Sequence, residues 1–196
     1  DFARHIVSVR AKTAEGLLLD VKKLTKNQWQ VAAHDGQITL DYDVYAWDLS
    51  VRGAHLDQTH GYFNGTCLLL AVQGQEEKLH QLSLYEPENV NWRVATTLTK
   101  QQVDAKGFGT YQADNYLELV DNPVEMANFT ELHFNVANTP HSMVITGQHR
   151  ADTQRLAHDL SKICQAAISF WGDEQPPFNQ YLFMLMVVGS GYGGLE

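Results

Sequence analysis

The hydrophobic period of this chain changes once, near residue 150, and that change sets the folds open to it. Ahead of it, apolar and polar residues alternate. Between Gln37 and Trp47, Ile38, Leu40, Tyr42, Val44 and Ala46 share one face, and Thr39, Asp41, Asp43 and Tyr45 the other. This is the pattern of an antiparallel strand with one buried side. Further strands are expected over residues 4–12, 28–33, 66–73, 81–85, 92–97, 130–136 and 142–146. Turn chemistry separates them at His34-Asp35-Gly36, His60-Gly61, Asn64-Gly65, Glu86-Pro87 and Asn138-Thr139-Pro140. A helical turn or two is expected over 114–120, ahead of Pro123. Short strands at regular turns predict a sandwich or a large bent sheet.

Past the change, apolar residues fall at Leu156, Leu160, Ile163, Ala167 and Phe170, which is helical spacing. Asp152 is the expected N-cap and Gly172 the expected C′ residue, and Pro176-Pro177 stops the helix. A buried strand is expected over 181–188. The fold class is therefore mainly β, an antiparallel β domain over 1–148 followed by the opening helix and strand of a second domain over 149–196. The boundary falls near Gly147 to His149.

Composition excludes some functions. A net charge of -9 leaves no basic stripe for phosphates, so no nucleic-acid partner is expected. The longest apolar run, 181–188, is far below the roughly 20 residues of a membrane helix, so no membrane partner is expected either. Cys67 and Cys164 are expected to be buried free thiols, which mark no oxidising compartment. No signal peptide is visible, and cytoplasm is the compartment expected. The chain opens on Asp1 without a methionine and is expected to be a piece of a longer protein.

Several chemistries lack their frame. The nine histidines include no pair four residues apart, the helical zinc spacing. His55 and His60 flank Leu56-Asp57-Gln58-Thr59, read as a hairpin loop; no metal site and no catalytic residue is expected within these residues. Ser190 lacks the Gly-x-Ser-x-Gly elbow of a hydrolase. Asp41 with Asp43, and Glu76 with Glu77, read as solvated acids. Asp121-Asn122-Pro123-Val124-Glu125-Met126 places two acids and a proline in what reads as a loop, equally open to function or to a proline-ended helix with solvated acids.

The C-terminal Gly189-Ser190-Gly191-Tyr192-Gly193-Gly194-Leu195-Glu196 is the most pointed segment. A dinucleotide fingerprint there needs a following helix and a distant acid that the sequence does not supply. A plain glycine-rich turn leaving a strand remains open. So does bare backbone that an extended peptide can approach, ending in a carboxylate suited to an amino terminus.

Tyr192-Gly193-Gly194-Leu195-Glu196 resembles the substrate-binding strand of the glycyl aminopeptidase family. These are zinc metallopeptidases related to aminopeptidase N that often carry a C-terminal PDZ domain. The resemblance continues in order along the chain, through Asp1-Phe2-Ala3-Arg4, the segment from Tyr42 to Arg52, Gly61-Tyr62-Phe63-Asn64-Gly65-Thr66 and Trp92-Arg93-Val94-Ala95-Thr96. Tyr111-Gln112-Ala113, Asp121 to Met126 and Arg155-Leu156-Ala157 extend it.

The resemblance implies a saddle-like β domain and the beginning of a thermolysin-like catalytic domain. It further implies a zinc-dependent enzyme that removes N-terminal residues, glycine or alanine by the family's name, from peptides with a free N-terminus. Glu196 would bind the substrate's amine, Gly193 and Gly194, next to Tyr192, would pair with its backbone, and Glu125 would be a second amine contact sent from a loop. Zinc belongs to the full-length enzyme; these residues are expected to hold none and to hydrolyse nothing alone. The alternative is a non-catalytic β module that binds peptides or carbohydrate.

Overall fold

The computed structural model describes residues 2–172, 175–190 and 193–194. After a 3-10 turn at Phe2–His5, the strands are β1 (Ile6–Thr13), β2 (Leu18–Leu19), β3 (Val21–Thr25), β4 (Gln28–Val31), β5 (Ile38–Val44), β6 (Ala54–Leu56) and β7 (His60–Phe63). Helix α1 (Gly65–Leu68) precedes β8 (His80–Leu84), β9 (Arg93–Ala95), β10 (Thr99–Val103) and β11 (Gly109–Ala113). Then follow α2 (Tyr116–Asp121), β12 (Val124–Ala127), β13 (Thr130–Val136), β14 (Thr139–Thr146), α3 (Thr153–Phe170) and β15 (Tyr181–Met186). The chain is mainly β, as its alternation predicts.

Three sheets stack to build the centre, ordered β10-β11-β8, β6-β7-β12-β9 and β13-β14-β15. Period-two alternation assigns each face of the middle sheet. Ala54, Phe63 and Val124 point into the main core with Leu84, Tyr111 and Ala113 of the first sheet. Their neighbours Ala95 and Ala127 point the other way, against Val144 of the third sheet and the half-buried Leu182 and Met184. The third sheet's far face, Leu132, Met143 and Ile145, receives Leu156, Ala157 and Leu160 of α3. β14 and β15 are parallel and in register from His141↔Tyr181 to Thr146↔Met186, with α3 as the crossover. This sheet joins residues on both sides of position 148.

Local chemistry explains most elements. In β5, Ile38, Leu40, Tyr42 and Val44 are half-buried and the residues between them exposed, as the alternation requires. Asp152 caps α3 by accepting from the Gln154 and Arg155 amides at 3.1 and 3.0 Å. Gly172 follows the helix with φ of +80°.

Other expectations fail for physical reasons. Residues 66–73, expected as a strand, begin instead as α1, because Asn64 accepts from the Thr66 amide and caps a helical turn. Gly65 is required there: a Cβ would lie 2.6 Å from Val120 Cα of the neighbouring α2. His60-Gly61 is not a turn but the start of β7. The β13–β14 turn is Ala137-Asn138, with φ of 48° and 63°, and Thr139-Pro140 belongs to β14. β15, expected to be buried, is mostly half-buried. Cys67 is buried, whereas Cys164 is only partly so; both are free thiols.

Candidate functional site

β12 is four residues long, Val124-Glu125-Met126-Ala127, and carries a charged residue into the middle of a sheet. It lies between β7 and β9, with Glu125 opposite Tyr62 on one side and Ala95 on the other. Because Val124 and Met126 take the main-core face, Glu125 takes the face turned to the β13-β14-β15 sheet. Glu125 therefore lies in a strand rather than on the loop its sequence context implies, and of the two readings left open there the solvated acid is excluded. Glu125 is 4% exposed.

Glu125 has a side-chain partner from the facing sheet. The Thr146 hydroxyl, at the end of β14, donates to Glu125 Oε1 at 2.8 Å. Burial pushes the Glu125 carboxyl up to about 7, and the Thr146 hydrogen bond opposes that rise. The acid thus changes charge near neutral pH, where an ordinary glutamate is fully ionised. Replacing Thr146 by valine deletes the donor and keeps the shape. The Glu125 carboxyl is expected to titrate above its wild-type value, read from its ¹³C resonance against pH; an unmoved titration would separate the two residues.

Glu125 lines a pocket of about 190 Å³ between the two sheets. Leu49, Val51, Val144, Leu182 and Met184 supply apolar wall, and Thr146, Tyr62, His55 and His60 supply polar groups. Cross-strand register explains the polar set. His55 of β6 faces Tyr62 of β7, which faces Glu125, so the three form a row on one face. His60 lies two residues from Tyr62, on the same face. Tyr62 donates its hydroxyl to the Val51 carbonyl at 2.8 Å. Burial, followed by the charges of Glu125 and Cys67, pushes that phenol up to about 12.

The histidines are buried too, at 5% and 1% exposure for His55 and His60. Asp57 holds the turn between them: its Oδ1 accepts from the Thr59 amide, the Thr59 hydroxyl and the His60 amide at 2.6, 2.7 and 3.1 Å. Its Oδ2 lies 3.2 Å from His55 Nε2. Those bonds, the Thr59 hydroxyl first, hold the Asp57 carboxyl well below the usual range. Burial and the neighbouring His55 lower His60, against the pull of Asp57, so its neutral form is favoured.

The other sequence candidates lie elsewhere or outside view. Gly193 and Gly194 are exposed and lie past the end of β15; among the described residues, chain neighbours aside, no atom stands within 4 Å of where a Cβ would be. Tyr192 and Glu196 lie outside the described residues. Thr146, Tyr62 and Asp57 are passed over at the level of sequence, and His55 and His60 are set aside there as the flanks of a hairpin loop. Asp57-Gln58-Thr59 has the spacing of an Asx turn, which closes a hairpin and brings its flanking histidines to one end; that signal was present in the sequence.

The model for the Peptidase M61 N-terminal domain matches residues 1–128. No curated protein matches the chain. Among solved structures, the chain is similar to an aminopeptidase N family protein from Idiomarina loihiensis, with a TM-score of 0.94 and 44% identity. The alignment covers 100% of this chain and 33% of that one, so the chain spans about a third of that relative's length.

Proposed function

The chain belongs to the peptidase M61 family, through its N-terminal domain, and from that premise we propose that it is the amine-reading part of a zinc-dependent aminopeptidase. Its substrates on this reading are peptides with a free N-terminus. The observation that carries the reading is the Glu125 carboxyl. It is held in a pocket largely walled by apolar side chains, with the Thr146 hydroxyl as its hydrogen-bonding side chain. A peptide's terminal ammonium offers what such an acid lacks, a positive charge with several N–H donors. A small terminal residue such as glycine or alanine is what the family resemblance suggests, independently of the pocket's volume.

β15 supports the remaining roles. Leu182, Met184 and Met186 lie in the pocket wall, and the chain then leads to Gly193 and Gly194. On this reading the glycine backbone pairs with the extended peptide beside Tyr192, and Glu196 meets the ammonium together with Glu125. The residues present do not fit the family's catalytic zinc: these 196 residues contain no His-Glu-x-x-His. The contribution assigned to them is to hold and orient substrate.

The test uses the protein with its catalytic region. Glu196→Ala is expected to slow hydrolysis of an alanyl peptide by about 30-fold or more, the cost of losing one partner of a buried charged contact. Bound metal should be unchanged, and the N-acetylated peptide should be cleaved by neither protein. An unchanged rate for the variant, or cleavage of the acetylated peptide at the rate of the free one, overturns the reading.

A further inference from the structure

We propose that the β6–β7 hairpin is a binding site for a divalent transition-metal cation of the zinc class, held by His55, Asp57 and His60. The site does not rest on the aminopeptidase reading; it follows from the geometry of the hairpin. One ligand atom from each of the three residues lies within 4.8 Å of the others. His55 Nε2 lies 3.2 Å from Asp57 Oδ2, and His60 Nδ1 lies 3.8 Å from Asp57 Oδ1. Donors bound at about 2.0–2.1 Å in a tetrahedral shell stand roughly 3.4 Å apart, so small movements close this set on one ion.

A second observation points the same way. His60 Nδ1 is buried and has no hydrogen-bond partner among the described residues. Buried ring nitrogens are ordinarily satisfied, and this one, turned toward Asp57 on an imidazole stacked 4.9 Å from that of His55, calls for a ligand. The frame around them is built. Asp57 is fixed by three bonds to the turn, and the Trp47 ring packs on His55 at 4.7 Å. Two imidazoles and one carboxylate are a borderline donor set, suited to zinc, cobalt, nickel or copper rather than to calcium or magnesium. Three protein ligands leave a coordination position open, and His55 and His60 both line the Glu125 pocket. A cation there would add positive charge to the wall of that pocket.

The experiment uses the 196-residue chain after chelator dialysis, titrated with zinc chloride by calorimetry. Imidazole ¹⁵N shifts are followed in the same samples. One equivalent is expected to bind with a dissociation constant of about 10 μM or tighter, raise the melting temperature, and move the ring resonances of His55 and His60 alone. Asp57→Asn keeps the side chain's size and a carbonyl for the turn, and should weaken zinc at least about tenfold. His158→Ala, on the exposed side of α3, should not. The shifts are read on wild type, so the proposal stands or falls even if the Asp57 variant fails to fold. Absence of saturable binding, shifts confined to other histidines, or undiminished binding by folded Asp57→Asn would each overturn it.

Discussion

Glu125→Gln is expected to stabilise this protein at pH 8 and to leave it no more stable than wild type at pH 4.5. The folded-state value of about 7 lies above the ordinary 4.5 for this carboxyl. The fold therefore prefers the protonated acid. Its stabilising contribution is complete below the unfolded value and is lost as pH rises through about 7. The gap between the two values corresponds to roughly 3 kcal/mol of differential stability. Glutamine is neutral throughout, and its carbonyl can still accept from Thr146. Its second N–H must be buried as well, which trims the gain to about 1–3 kcal/mol. Urea denaturation of both proteins at pH 4.5, 6 and 8 measures this directly. Curves that differ by a constant amount at all three pH values would show that Glu125 does not titrate in the fold as its burial requires.

The same sign governs ligand binding. If a peptide ammonium pairs with Glu125, the carboxyl must be ionised in the complex, and binding near neutral pH releases a proton. Affinity for a free-amine peptide then rises as pH climbs through about 7. The rise should be absent in Glu125→Gln. Thus the property that makes Glu125 destabilising in the empty fold is the one that would make it responsive to an amine on the proposed reading.

Ile145→Ala is expected to cost about 2–5 kcal/mol, the range for truncating a fully buried aliphatic side chain. Ile145 is 1% exposed and lies with Leu132 and Met143 beneath α3. The helix depends on that contact, because none of its own residues is fully buried. The loss should therefore concentrate in α3 and β15, seen as faster amide exchange there than in the main core around Tyr111. Leu117→Ala, at a position 72% exposed, should stay within about 0.5 kcal/mol of wild type. Uniformly faster exchange across all three sheets would mean that α3 and the third sheet open only with the whole molecule.

Much of this architecture was legible. β13 occupies the residues that alternation marks out, Thr130–Val136, and α3 lies between the cap and stop that Asp152 and Gly172 provide. Both are long enough for a period to repeat, and each keeps one face to the core and one to solvent. Among the strands not anticipated, which include β3, β10 and β11, three build the site: β6, β7 and β12. Each is three or four residues long, and β7 and β12 are covered on both faces. A strand buried on both sides has no reason to alternate, so its period is silent.

The sequence by itself determined that this chain is mainly β, that it turns helical after residue 150, and that its motifs resemble a peptidase's. It also singled out Glu125. Only the tertiary structure decided what that glutamate is. Thr146 meets it across 21 residues of sequence, between two stacked sheets, and Tyr62 and His55 stand beside it through strand register. Register and sheet stacking are set by the sum of many packed side chains, so no local pattern encodes which residues come to face one another. Burial then raises the carboxyl toward neutral pH, a property of its surroundings rather than of its position in the chain.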